Sequence, residues 1–216
     1  YLSKEDLETL KKEVTDGDRF KYYNLYFLDR KTKKLEQVKN HRKSFWYGDA
    51  PQAVQSEKII DGIKVPSDYV REYPFDDSVQ KLKDKMESQF GVKFNSCLVG
   101  KFDNKKDKIG FHSDECDEMG KDPIIGSFSL GEPMKFLIKA KRGLEKEELE
   151  LTLEEGDLLL MKTGTNLNYL HAVPKNPNLS KNKPRINLTF RMYDYSENEL
   201  KNRVNKTKSK QVAKQE

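Results

Sequence analysis

Beyond Gly91 the chain is a succession of short apolar segments cut by glycine- and proline-bearing turns, and this alternation narrows the folds open to it. The segments expected as strands are 92–102, 109–112, 124–130, 134–140, 149–153, 157–161, 169–173 and 186–193. Most are too short for an ordinary helix, and turn residues such as the run from Asp103 to Asp107 bound them. No helix-length segment intervenes, which disfavours crossover βαβ units and a parallel sheet. The expectation is therefore an α+β, mainly β chain. Its core should be a double-stranded β-helix of the jelly-roll type, preceded by helices.

Those helices are legible ahead of the strands. Ser3, then Glu5 and Asp6, then Leu7, Leu10 and Val14 predict a short capped helix that Gly17 ends. Asp76 or Asp77 caps a second helix, with Val79, Leu82, Met86 and Phe90 on one stripe and a stop at Gly91. Between the two, the aromatic-rich stretch 20–28 reads as a strand, whereas 50–74, broken by Pro51, Gly62, Pro66 and Pro74, reads as irregular. Residues 1–91 are thus expected as N-terminal helices plus a lid over a core spanning 92–195, with 1–195 forming one structural domain. The tail 196–216 carries six Lys/Arg against three acids, as a helical extension or a disordered segment would. The first residue is Tyr1 rather than Met, as in a piece of a longer polypeptide, and a monomer is the other expectation.

With 36% charged residues the chain still has only three histidines. His112 stands two residues before Asp114, and positions i and i+2 of an extended segment point to the same side. His171, in a separate strand-like segment, can close a third face. Two imidazoles and one carboxylate form the set that non-haem iron(II) oxygenases use, leaving positions open for co-substrates. The competing reading of the triplet is a solvated loop with a turn-forming aspartate. His41 reads as a surface residue outside the triad.

The net charge of +5 is concentrated: residues 30–43 hold seven Lys/Arg against Glu36 alone. Such a run is either a solvated basic hairpin or a contact for a phosphate backbone. At its end Arg42 and Lys43 adjoin Phe45, Trp46 and Tyr47. Aromatics beside basic residues suit a base-stacking platform, and a core role for Trp46 suits the same sequence. There is no phosphate-binding Gly-x-Gly-x-x-Gly, no P-loop and no paired CxxC. No run approaches the about 18 apolar residues that cross a bilayer, and residues 1–6 do not form a signal peptide. Two cysteines, Cys97 and Cys116, favour a reducing compartment, cytoplasmic or nuclear.

Six phrases occur in order: 95–102 (NSCLVGKF), 109–114 (IGFHSD), 123–131 (PIIGSFSLG), 156–161 (GDLLLM), 169–171 (YLH) and 184–191 (PRINLTFR). Together they resemble the AlkB family of iron(II)/2-oxoglutarate-dependent dioxygenases over roughly residues 41–193. The resemblance implies that His112, Asp114 and His171 hold Fe(II) and carry catalysis. It implies that Arg185 pairs with the distal carboxylate of 2-oxoglutarate, with Asn187 and Arg191 in the same co-substrate pocket. Period two independently puts 185, 187, 189 and 191 on one strand face. A planar guanidinium binds a carboxylate bidentately, which lysine cannot reproduce. The implied activity is oxidative demethylation of N-methylated bases in single-stranded RNA or DNA, with RNA slightly preferred. It converts 2-oxoglutarate and O2 to succinate and CO2 and releases formaldehyde. The RNA leaning rests on similarity to the AlkB domains of RNA-virus replication proteins, which would place the chain in host cytoplasm. The alternatives are a dioxygenase of the same family acting on a protein or small molecule, and a nucleic-acid-binding protein with weakened catalysis.

Departures from the family pattern matter as much. Gly100 and Phe102 stand where the family has an amide and a hydroxyl that touch the co-substrate. Cys116 interrupts the acids after the triplet, so base reading falls to Glu115 or Asp117. Val54 to Lys58 contains no aromatic, which leaves base stacking to Phe45, Trp46 or Tyr47.

Overall fold

The computed structural model describes residues 1–22, 24–28, 32, 34–39, 42–48, 58–60, 63–65, 72–114, 119, 122–144 and 147–193. Helix α1 (Lys4–Thr15) begins where Ser3 Oγ accepts the Asp6 N–H at 3.1 Å, the expected cap. Helix α2 (Asp77–Phe90) follows N-cap Asp76 and ends at Gly91, whose φ of 65° is the left-handed terminator that glycine adopts without strain. Between the helices lie β1 (Asn24–Leu28), β2 (Leu35–Lys39), β3 (Lys43–Gly48), β4 (Lys58–Ile60), β5 (Ile63–Val65) and β6 (Glu72–Tyr73). The irregular reading of 50–74 is corrected in part, since three short strands lie there. After α2 come β7 (Ser96–Phe102), β8 (Ile109–His112), β9 (Ile125–Gly131), β10 (Met134–Ala140), β11 (Glu148–Leu153), β12 (Leu158–Met161), the short helix α3 (Thr165–Asn168), β13 (Tyr169–Val173) and β14 (Arg185–Arg191). The basic tail 196–216 lies outside the described residues.

Two main sheets result. The larger has six strands in the order β12-β9-β14-β7-β3-β6, and the smaller four in the order β11-β10-β13-β8. All pairings in them are antiparallel except the short parallel match of β3 with β6. The jelly-roll expectation is corrected here: both sheets are open, and no ladder joins one to the other among the described residues. The fold is mixed α/β with two sheets. Strand-length periodicity shows that segments are extended, but a closed barrel also requires first and last strands to pair at a matching stagger. Here β3 and β6 widen one sheet instead, and side chains fill the space between the two.

Period two sorts the large sheet into two faces. Phe45 and Tyr47 of β3, Cys97 and Val99 of β7, Phe128 and Leu130 of β9, and Ile186, Leu188 and Phe190 of β14 pack under the helices. Leu10 and Val14 of α1 and Val79, Leu82 and Met86 of α2 meet them at helical spacing. Burying each such side chain contributes about 1.5–3 kcal/mol, which ties the helices to this face. The opposite face turns toward the small sheet. There Phe102, Ile125, Met134, Phe136, Leu153, Met161 and Val173 form a second apolar cluster. Beside it, the inner positions of β14 are polar and open into a cavity.

Candidate active site

Strand pairing assembles the triad. On the edge strand β8, His112 lies directly opposite His171 of β13, so the two imidazoles share one face with ring centroids 4.3 Å apart. Asp114 follows the end of β8, and its Oδ1 lies 3.3 Å from His112 Nε2 and 3.9 Å from His171 Nε2. One donor atom from each residue falls within 4.8 Å of the others. The His112 Nδ1–H donates to Gly110 O at 2.9 Å, which turns the Nε2 lone pair inward. The 3.3 Å between His112 Nε2 and Asp114 Oδ1 is a separation that a shared cation can span.

Burial gives this set the ionisation that a metal requires. His171 is 8% exposed and stacks on Phe136. Burial first, and then His112, pull its pKa down to about 4, so it is neutral at pH 7. Burial acts on Asp114 in the opposite sense, but Arg191 and the histidines outweigh it and hold the carboxyl well below the usual carboxylate range. A neutral imidazole at His171 and an ionised carboxylate at Asp114, with the His112 ring opposite them, make a donor set that fits a divalent iron.

Arg185 and Arg191 sit on the cavity face of β14 and do different things. Arg191 donates from Nη2 at 2.7 Å and from Nε at 3.1 Å to Asp114 Oδ2, which leaves Oδ1 for the histidines. Arg191 also lines the cavity, as expected for a co-substrate-pocket residue, and its bond to Asp114 is a contact that the sequence did not show. Arg185, 3% exposed, donates to Leu153 O at 3.0 Å, Ser129 Oγ at 2.9 Å and Asn187 Oδ1 at 3.2 Å, all of them uncharged. Its Nε is buried without a hydrogen-bond partner, and burial lowers its pKa to about 10. A buried cation among neutral acceptors is built to receive an anion. Asn187 accepts also from Ser127 Oγ and donates to Thr189 Oγ1, which fixes its amide and lets it orient Arg185.

Both ends open on one cavity of about 540 Å³, lined also by Arg42, Trp46, Gly100, Phe102, Ser127 and Tyr193. Phe102 lies opposite Arg185 in the β7–β14 register and presents a ring where a hydroxyl would be polar. An added Cβ on Gly100 would stand 3.4 Å from Arg42 Nε, so the glycine leaves the space that Arg42 enters. Arg42 lies with its guanidinium 5.7 Å from the Phe102 ring centre, inside the cavity rather than on an outer phosphate-binding surface.

The remaining substrate-side expectations divide by strand parity. Trp46 faces the cavity, edge-on to Tyr193. Phe45 and Tyr47 do not: both are fully buried under the helices, Phe45 edge-on to Phe20 and the Tyr47 hydroxyl donating to Asp76. Both are corrected to core residues, because the register of β3 on β7 leaves only one parity for the cavity. Lys43 pairs with Asp103 at 3.7 Å and is not among the residues that line the cavity. Glu115, Asp117 and His41 lie outside the described residues. Sequence reasoning missed Ser129, Met119, Tyr193 and Asn166. Asn166 Oδ1 accepts from Asp114 N at 2.9 Å, and its Nδ2 donates to Asp114 O at 2.6 Å. Thr189, by contrast, lies on the cavity face that its parity with Arg185 predicts.

Residues 1–191 match the 2OG-Fe(II) oxygenase superfamily. The chain belongs to that superfamily. Within it the chain is AlkB-like. The human (Homo sapiens) alpha-ketoglutarate-dependent dioxygenase alkB homolog 3 is 35% identical over 120 residues, which are 52% of this chain and 41% of that protein. The bovine (Bos taurus) DNA oxidative demethylase ALKBH2 is 30% identical over 119 residues, 52% of this chain and 42% of that protein. The matched segments thus span less than half the length of these curated relatives. The solved structure of OsALKBH1 shares the fold, with a TM-score of 0.53 at 17% identity, covering 87% of this chain and 92% of that one. No helix among the described residues is long and apolar enough to cross a membrane.

Proposed function

We propose that the chain is an iron(II)/2-oxoglutarate-dependent dioxygenase that oxidatively demethylates N-methylated bases in single-stranded RNA or DNA. The observation that carries this reading is one cavity with two dissimilar ends: the His112–Asp114–His171 donor set and the buried guanidinium of Arg185. A dicarboxylate that binds metal at one end and arginine at the other matches both. When bound, iron(II) with O2 and 2-oxoglutarate supplies the oxidation, yielding succinate, carbon dioxide, formaldehyde and the demethylated base.

The chain's own residues position and exclude. Arg191 holds Asp114 Oδ2 so that one carboxylate oxygen faces the metal site. Arg185, kept in place by Asn187 and Ser129, receives the distal carboxylate. The Phe102 and Phe136 rings keep water from the space between. Of the three candidate aromatics Trp46 alone lines the cavity, beside Tyr193, which supports its role in steadying an unstacked base. Nucleic acid as substrate rests on the AlkB-like relatives, one of which is named for DNA demethylation. RNA rests on the viral-like phrasing of the sequence, and with it a host-cytoplasmic site of action.

The test is anaerobic reconstitution with iron, addition of O2 and 2-oxoglutarate, and mass spectrometry of methylated RNA and DNA oligonucleotides beside succinate quantitation. Methyl loss coupled to succinate supports the proposal, and its ratio between the two polymers settles their order. Succinate without base repair redirects the substrate to a protein or small molecule. Oligonucleotide binding with neither product makes the chain a binding protein.

A further inference from the structure

Asp114 belongs to no strand. It lies two residues beyond β8, after the β8–β13 ladder has ended at His112 and His171. A loop at that point would leave the metal-binding carboxylate at the mercy of backbone motion. The backbone of Asp114 is nonetheless held at both of its polar groups by one side chain, the amide of Asn166, at 2.9 Å and 2.6 Å. Two antiparallel residues in a narrow pair exchange an N–H and a C=O in this same way. A side-chain amide is the neutral group that carries both a donor and an acceptor in one plane and can imitate such a partner.

The amide is itself fixed. Asn166 is 1% exposed in the single turn α3, which leads directly into β13 and His171. That turn is held at its start by the Asp122 carboxylate, which accepts the Gly164 N–H at 2.8 Å and 2.7 Å from its two oxygens. It is held again where Lys141 Nζ donates to Asn166 O at 3.0 Å and the Lys141 N–H donates to Asn168 O at 2.9 Å.

We infer that Asn166 is a positioning residue of the metal site, a side-chain substitute for the missing strand neighbour that locks Asp114 to the His171 strand. The inference rests on the metal-site reading above and goes beyond it by assigning a residue outside the donor set. Arg191 fixes one carboxylate oxygen; Asn166 fixes the backbone from which the carboxylate springs. Losing a group that orients a ligand costs about 10- to 100-fold in metal affinity.

The test titrates anaerobic metal-free protein with Co(II), following its d–d absorption, for wild type, Asn166→Ala, Asn166→Asp, Asp114→Ala and, as a surface control, Leu167→Ala. Thermal unfolding of each metal-free protein runs beside it. The inference expects Asn166→Ala to bind Co(II) about 10- to 100-fold more weakly, with a changed absorption band at saturation. Asn166→Asp keeps the acceptor and loses the donor, and falls between that variant and wild type. It decides the matter if Asn166→Ala does not fold. Wild-type affinity and wild-type absorption in the Asn166 variants overturn the inference, even if they unfold earlier. Co(II) binding that is absent in wild type, or unchanged in Asp114→Ala, overturns the metal site and the inference together.

Discussion

The two ends of β14 carry the same side chain in opposite circumstances. Arg185 and Arg191 are both buried and both face the cavity. Arg191 has a carboxylate against it, and although burial works against its charge, Asp114 outweighs the burial and raises its pKa. Arg185 has only a carbonyl, a hydroxyl and an amide oxygen, and burial prevails, pulling its pKa down. A buried charge that is already paired is part of the protein's own machinery. One whose hydrogen-bond acceptors are all neutral, and whose burial outweighs the more distant pull of Asp157, is a place prepared for a ligand.

The largest effect that separates the two ends should come from removing the internal pair. Arg191→Met and Asp114→Ala each strand a buried charge and are expected to cost about 3–5 kcal/mol of unfolding free energy. Arg185→Met leaves only dry hydrogen-bond acceptors and is expected to cost about 1–3 kcal/mol. Urea denaturation of the metal-free variants reads both, and an Arg185 variant that is the less stable erases the contrast.

Ligand binding should reverse the ranking. Arg185→Lys is expected to weaken 2-oxoglutarate binding to the metal-loaded protein by about 2–5 kcal/mol, because the distal carboxylate loses its bidentate partner while remaining buried. Calorimetric titration measures it, and unaltered affinity would remove Arg185 from the co-substrate site. A smaller change follows from Phe102→Tyr. Its hydroxyl would enter the cavity opposite Arg185, and a gain of about 1 kcal/mol in the same titration is expected. Tighter binding by more than tenfold would mean that the ring had been blocking the site.

The smallest effects distinguish inside from outside. Lys43→Gln removes a partly exposed pair with Asp103 and is expected to shift stability by less than about 1 kcal/mol, and less still in high salt. Arg42→Gln, within the cavity, is expected to change 2-oxoglutarate or oligonucleotide affinity while leaving unfolding nearly unaltered. Equal and purely salt-dependent losses from both would restore the reading of 30–43 as one basic surface.

Much of the site was legible in the chain. The spacing of His112 and Asp114, the single distant His171, and the alternation of Arg185, Asn187 and Arg191 pointed to one face before any packing was known. Helices α1 and α2 with their caps, and most strands after Gly91, were legible for the same reason, whereas the single turn α3 was not. What could not be read was choice among equals. Phe45, Trp46 and Tyr47 are alike as aromatics, and only the pairing of Tyr47 with Cys97 and of Trp46 with Leu98 decided that Trp46 meets the cavity.

The sequence by itself determined the local order: which segments extend, where helices start and stop, and which side chains share a strand face. Backbone stereochemistry imposes those periods within a few residues, so a few residues suffice to reveal them. The tertiary structure alone decided that Arg191 closes on Asp114, and that Asn166 holds the Asp114 backbone from 52 residues away. It also decided that the two main sheets stay open among the described residues. Each of these is a contact between distant segments, fixed by register and by the space left after packing, and neither quantity is encoded in any short stretch of chain.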